Sequence, residues 1–205
     1  LVEATKHHSI VFATGPAGVG KSLVLVACAI QNLINHEVER IVITRPIIEA
    51  AEDNLGFLPG TLEEKVDPYL VPIKDGLNKF LGIDFTETLF ASGKISVVPL
   101  AYMRGRSIED SVIICDEGQN ATFEGLHMLL TRIGKNSSLY INGDLGQVDL
   151  RPYTKSGLQD VMSALHDVPD VAFVRFSTDD CQRNPVVAHV VKALDKFRSH
   201  KSDTL

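Results

Sequence analysis

Eight consecutive residues, Gly15-Pro16-Ala17-Gly18-Val19-Gly20-Lys21-Ser22, have the types and spacing needed to hold a phosphate. They satisfy G-x-x-x-x-G-K-[ST] at every fixed position. Glycines let the backbone turn its N–H groups inward and approach phosphate oxygens closely. A helix starting at the end of the loop would add the positive end of its dipole. Lys21 could then reach the β- and γ-phosphates of a nucleotide, and the Ser22 hydroxyl could ligate Mg²⁺. All of residues 15–22 are therefore candidate nucleotide contacts.

A second constellation lies about a hundred residues on. The apolar run Ser111-Val-Ile-Ile-Cys115 ends in Asp116-Glu117. Asp116 could complete the Mg²⁺ shell opposite Ser22, and Glu117 could polarise an attacking water. An adjacent Glu favours hydrolysis over transfer to a small acceptor. A small-molecule kinase is further disfavoured because no arginine-rich, lid-like insertion is evident. Gln119 and Asn120 follow directly, and Gly143-Asp144-x-x-Gln147 ends the next apolar run. Gln147 could touch the γ-phosphate or the attacking water; an Asx-type turn is the competing reading. Without an Asn-Lys-x-Asp motif to read guanine, ATP is expected over GTP.

These groups need a scaffold that brings distant segments to one edge. Ser9–Thr14, Arg40–Thr44, Ile95–Leu100, Ser111–Cys115, Ser138–Asn142 and Val171–Phe176 read as buried strands, being short, apolar and β-branched. Helices are expected over 23–34, 122–132, 156–166 and 184–197, the second with Phe123, Leu126, Leu129, Leu130 and Ile133 at helical spacing. Thr61-Leu-Glu-Glu64 is a capping box opening another, and Pro68 starts a further helical piece with Tyr69, Ile73, Leu77 and Phe80 on one face. Residues 53–60 form a turn-rich loop with embedded Leu55, Phe57 and Leu58. Strands alternating with helices predict an α/β fold with a mostly parallel sheet covered on both faces. Ligands bind such sheets at the carboxyl ends of strands. The loop at 15–22, the acids at 116–117 and the segment at 143–147 all follow strands and can share that edge.

With 205 residues, 44% hydrophobic and 22% charged, the composition is that of a globular chain of one full-sized domain. One domain is expected over residues 1–198, with a frayed tail at 199–205. No apolar run is long enough for a membrane helix, and no signal-peptide pattern opens the sequence. Cys28, Cys115 and Cys181 have no paired spacing, and the seven histidines add no zinc pattern. A reducing, cytoplasmic setting is expected. The formal charge of −6 counts against strong non-specific nucleic-acid binding by the surface as a whole, though not against a local basic strip.

Taken together, these motifs resemble the PhoH-like proteins, ATPases akin to the N-terminal RecA-like domain of superfamily 1 helicases. The resemblance runs from about Val11 to Phe197. It rests on Gly15–Ser22, Thr44-Arg45-Pro46, Leu55-Gly-Phe-Leu-Pro-Gly60 with Glu63-Glu64-Lys65, and Pro68-Tyr69. It extends through Pro99-Leu-Ala-Tyr-Met-Arg-Gly-Arg106, Asp116–Asn120, Thr131-Arg-Ile-Gly134 and Gly143–Leu150. Gly118 departs from the family's usual Ala, and Ser22 from its usual Thr.

The resemblance implies a Mg-dependent, P-loop ATP hydrolase in a homo-oligomer, expected to be a hexameric ring. Single-stranded RNA or another nucleic acid is the implied partner, with no membrane, and phosphate starvation the implied setting. Superfamily 1 helicases complete the site with arginines from a second RecA-like domain, for which this chain is too short. A second copy would then have to supply one, or hydrolysis would be slow; Arg183, in Cys181-Gln-Arg-Asn-Pro185, is the leading candidate for contacting phosphate, in cis or in trans, with Arg45, Arg104 and Arg106 as others. Arg104 and Arg106, flanking Gly105 near Tyr102, also suit a nucleic-acid backbone with a stacked base, with a packed structural turn as the equal alternative. The alternative reading is a nucleotide-gated assembly or regulatory module with slow hydrolysis and a protein partner.

Overall fold

The computed structural model describes residues 1–46 and 71–180. The loop at 53–60, the capping box at 61–64, the Pro68-Tyr69 helix start, Cys181, Arg183 and the helix expected over 184–197 lie outside the described residues. In chain order the elements begin with α1 (Val2–His7), β1 (Ile10–Thr14), α2 (Lys21–Ile34) and β2 (Arg40–Thr44). Next come α3 (Val71–Leu81), α4 (Ile83–Ala91), β3 (Ile95–Val97) and β4 (Ser111–Cys115). α5 (Phe123–Leu130), β5 (Ser138–Gly143), α6 (Leu158–Ala164) and β6 (Val171–Arg175) complete the described elements.

The six strands form one sheet in the order β3-β2-β4-β5-β1-β6, and every pairing is parallel. From β1 the chain crosses by α2 to β2, two places beyond its neighbour, and later returns through β4 and β5 to fill the gap. Side chains alternate across the sheet, so each strand feeds two cores. Val11, Ala13, Ile41, Ile43, Val112, Ile114 and Tyr140 face α2 and α3. Phe12, Val42, Ile113, Cys115, Leu139 and Ile141 face α5 and α6. Both faces are thus covered, as an all-parallel sheet requires.

The helices follow from their apolar spacing. In α2, Leu25, Val26, Ala29, Ile30 and Leu33 make one buried stripe. In α3, Ile73 and Leu77 are buried, but Phe80 is exposed; Leu81, four residues after Leu77, takes the inward place instead. Thr122 caps α5 by accepting a hydrogen bond from Gly125 N (3.1 Å), and Leu126 and Leu129 are fully buried while Phe123 points outward. The third strand ends sooner than expected, at Val97, because Pro99 leads into a 3₁₀ turn at Leu100–Met103. α4 lies between α3 and β3, a stretch in which the sequence signals no element.

Tyr140 is buried under α1, donating to the Thr5 carbonyl at 3.4 Å, and burial pushes its phenol up to about 12. Cys115 is buried at the end of β4, where burial raises its thiol pKa, helped by the neighbouring Asp116 charge. Among the described residues no helix is long and apolar enough to cross a membrane, and no group of three or more His, Cys, Asp or Glu could hold a metal ion.

Candidate active site

β4, β5 and β1 are adjacent, and their carboxyl ends carry the three candidate segments to one edge of the sheet. The phosphate loop leaves β1 at Thr14. Gly15 takes φ +145°, and a Cβ there would sit 2.5 Å from the Phe176 carbonyl oxygen and 2.8 Å from Phe176 Cβ. Its N–H donates to the Gly143 carbonyl at 3.2 Å. The loop is therefore wedged between the ends of β5 and β6. Gly18 and Gly20 are left-handed, at φ +83° and +88°, and Gly20 delivers the chain into α2.

Lys21 is buried and curls back over the loop, donating to the Gly15 carbonyl at 2.6 Å and the Pro16 carbonyl at 2.8 Å. Burial lowers its pKa, opposed by the negative charges of Asp144, Glu117 and Asp116. An ammonium that is desolvated and surrounded by backbone oxygens, with three carboxylates acting on it, suits an anionic phosphate ligand.

Ser22 and Asp116 meet across 94 residues of sequence: the Ser22 hydroxyl donates to Asp116 Oδ1 at 3.1 Å. A hydroxyl and a buried carboxylate side by side are oxygen donors of the kind Mg²⁺ takes, so the residues fit the cation. Asn142, buried at the end of β5, joins them. Its Nδ2 donates to Asp116 Oδ1 at 2.8 Å and to Ser22 Oγ at 2.9 Å, while its Oδ1 accepts from Glu117 N at 3.1 Å. Glu117 itself is left-handed, with φ +55° and ψ +41°.

Among the described residues, Gln119 and Arg45 reach the Glu117 carboxylate. Gln119 Nε2 donates to Oε2, and an Arg45 amine nitrogen lies 3.8 Å from Oε1. Arg45 also reaches Asp116 Oδ2, at 3.6 Å, so one guanidinium from the end of β2 lies against both acids of its own chain. Gln147 is exposed, and its backbone carbonyl accepts from Gln119 Nε2 at 3.1 Å. Gln119 Oε1 accepts from Asp144 N at 3.0 Å, so this buried glutamine ties Glu117 to the segment after β5.

Arg104 and Arg106 are exposed and line different cavities. The larger of the two, about 480 Å³, has Pro46, Leu100, Asn120, Thr122 and Arg151 among its walls. At Gly118 a Cβ would stand 2.7 Å from Ile141 Cγ2 and 3.0 Å from the Asn142 carbonyl, so admitting alanine requires Ile141 to shift. Asn142 and Gln119 were not assigned site roles from the sequence. Asn142 reads there as the polar end of a strand, and its partners lie 26 and 120 residues away.

The family profile described as PhoH-like protein matches residues 1–195. The chain belongs to the PhoH-like family. It is 44% identical over 195 residues to the PhoH-like protein of Synechocystis sp., covering 95% of this chain and 59% of that protein. The PhoH-like protein of Bacillus subtilis is 45% identical over 195 residues, covering 95% and 61%, respectively. Protein PhoH of Escherichia coli is 41% identical over 194 residues, covering 94% and 54%. The chain thus spans little more than half the length of these curated relatives. Among solved structures, the Pif1 helicase from Candida albicans aligns over 86% of this chain and 38% of its own, with a TM-score of 0.42 and 16% identity. For the PhoH-like chain described here, family and sheet together establish an α/β, P-loop nucleotide-binding fold.

Proposed function

We propose that this PhoH-like domain hydrolyses ATP with Mg²⁺, and that hydrolysis is coupled to binding or remodelling of RNA or another nucleic acid within a homo-oligomer. The observation that carries the reading is the meeting of the phosphate loop with Asp116-Glu117, marked by the 3.1 Å Ser22–Asp116 contact. Lys21 and the loop amides bind the phosphates, and Lys21 exchanges its carbonyl partners for phosphate oxygens. Ser22 and Asp116 would hold Mg²⁺, whose charge would offset that of the phosphates. Glu117 accepts the proton of the attacking water. Gln147 senses the γ-phosphate, relayed to Glu117 by Gln119.

Arg183 is the proposed arginine from a neighbouring copy in a ring, a contribution worth about 10³–10⁵ in rate. The cavity with Arg104 at its rim and Leu100, Thr122 and Met128 on its walls is the proposed course of a single strand. It shares Pro46 with the segment that carries Arg45. A cytoplasmic setting accompanies this reading.

Glu117→Gln tests it. ATP binding should survive while turnover falls at least about tenfold, as expected on removing a general base; unchanged turnover would refute the assignment. RNA stimulation, with specific activity rising with protein concentration, supports coupling in a ring. A slow rate indifferent to both favours the nucleotide-gated module, for which the contact of Arg45 with both acids offers a ready resting state.

A further inference from the structure

We propose that Asn142 is a positioning residue that sets the Ser22 hydroxyl and Asp116 for the cation and holds Glu117 in its working backbone conformation; this rests on the ATP-hydrolase reading above. Both amide hydrogens and the carbonyl oxygen of Asn142 are engaged, by Ser22, Asp116 and Glu117 N, respectively. These bonds admit one orientation of the amide, because reversing it would set its oxygen against the Asp116 carboxylate.

The consequence for Ser22 is specific. Asn142 Nδ2 can only donate, so the Ser22 hydroxyl must accept there and send its own hydrogen to Asp116 Oδ1. One lone pair of Ser22 Oγ is thereby left for a cation. The same amide occupies Asp116 Oδ1, leaving Oδ2 as the oxygen facing Arg45. For Glu117, the bond from its N–H to Asn142 Oδ1 fastens a residue whose left-handed backbone is costly for a side chain other than glycine. β5 lies between β4 and β1, so its last buried side chain is the one that can touch both halves of the site.

The test compares the wild type with Asn142→Ala and with the isosteric Asn142→Asp. Steady-state ATP turnover, thermal unfolding, and affinity for a fluorescent ATP analogue in EDTA and in Mg²⁺ are measured for each. In Asn142→Ala, turnover should fall about 10- to 100-fold, the range for losing an outer-shell partner. Affinity in EDTA should stay within about threefold of wild type, because Asn142 touches no loop amide, while the tightening brought by Mg²⁺ shrinks. Asn142→Asp retains the acceptor for Glu117 but adds a carboxylate beside Ser22. Its turnover should also fall at least about tenfold, while half-saturation by Mg²⁺ moves to lower concentration.

Turnover within twofold of wild type in either folded variant would overturn the proposal. So would equal losses of affinity in EDTA and in Mg²⁺, or a collapse of the melting temperature in both variants, which would make Asn142 a residue of stability alone. If the wild type hydrolyses no ATP, the ATP-hydrolase reading fails by itself, and the comparison of EDTA with Mg²⁺ still judges Asn142.

Discussion

Replacing single glycines of the phosphate loop with alanine separates two physical costs that the structure assigns to different positions. At Gly20 the backbone is left-handed, but nothing lies within 4 Å of where a Cβ would go. Gly20→Ala therefore meets only the dihedral penalty, about 1–2 kcal/mol, partly offset by about 0.4–1 kcal/mol from a less flexible unfolded chain. A net loss of about 1 kcal/mol is expected. At Gly15 the φ of +145° is also unfavourable, and the new methyl would press on the Phe176 backbone carbonyl at 2.5 Å. That obstacle is main chain, hydrogen-bonded through Phe176 N to the Thr14 carbonyl at 2.7 Å, so it cannot rotate away. Overpacking adds about 1–3 kcal/mol, giving an expected net loss of about 2–4 kcal/mol for Gly15→Ala. Urea unfolding of both variants measures the difference, and a fluorescent ATP analogue reports on the loop. Both variants should bind nucleotide more weakly, but only Gly15→Ala should lose much stability. Equal stabilities, within about 0.5 kcal/mol, would show that the loop is not wedged against β6 and would refute the reasoning.

Two other outcomes follow from particular side chains. The pKa of Lys21 is lowered in the folded protein, so between that value and the ordinary 10.5 the unfolded chain binds more protons and stability rises with pH. Urea midpoints measured through this alkaline window should climb in the wild type, and Lys21→Met should flatten the climb; an identical pH dependence would exclude Lys21 as its source. Thr122→Ala removes the side-chain acceptor for Gly125 N and should cost about 1 kcal/mol by urea unfolding. Thr122→Ser should restore most of it, and failure to do so would locate the effect in packing rather than capping.

Much of the framework was legible in the sequence because its strands are nearly all-apolar runs with sharp ends. Ile41-Val-Ile-Thr44 is closed by Arg45-Pro46, and Val112-Ile-Ile-Cys115 by two acids. β-Branched residues in such short runs leave few alternatives to a buried parallel strand. α4 was missed because Gly82 separates it from α3 and because it buries only Thr86 completely, leaving little periodic signal. Phe80 and Phe123 were read as inward from spacing alone. Leu81 displaces the first from its expected place, while α5 buries Leu126 and Leu129 and leaves the second outside. The loop and the acids were legible as residue types in order. Asn142 was not, since an amide gains its meaning from what surrounds it, and here those groups come from α2 and from the end of β4. Likewise two glutamines are equivalent as letters, yet Gln119 is buried on Glu117 and Gln147 turns its side chain outward.

The place of β1 in the sheet has a consequence for how the protein is made. Ile10 pairs with Leu139 on one side and with Val171 on the other, so β1, made before the other described strands of this sheet, waits for both of its partners. At about 5–20 residues per second, translation leaves it waiting for roughly 6–25 s before β5 is synthesised, and longer for β6. During that interval Val11, Phe12 and Ala13, each fully buried in the finished fold, are without the neighbouring strands that will cover them. β2, β3 and β4 can pair among themselves beforehand, but the phosphate loop acquires its Gly143 and Phe176 supports only when β5 and β6 close around β1. Competence to bind nucleotide therefore arrives only once β6 has been made, and a nascent chain stalled before β5 carries the whole motif without the site.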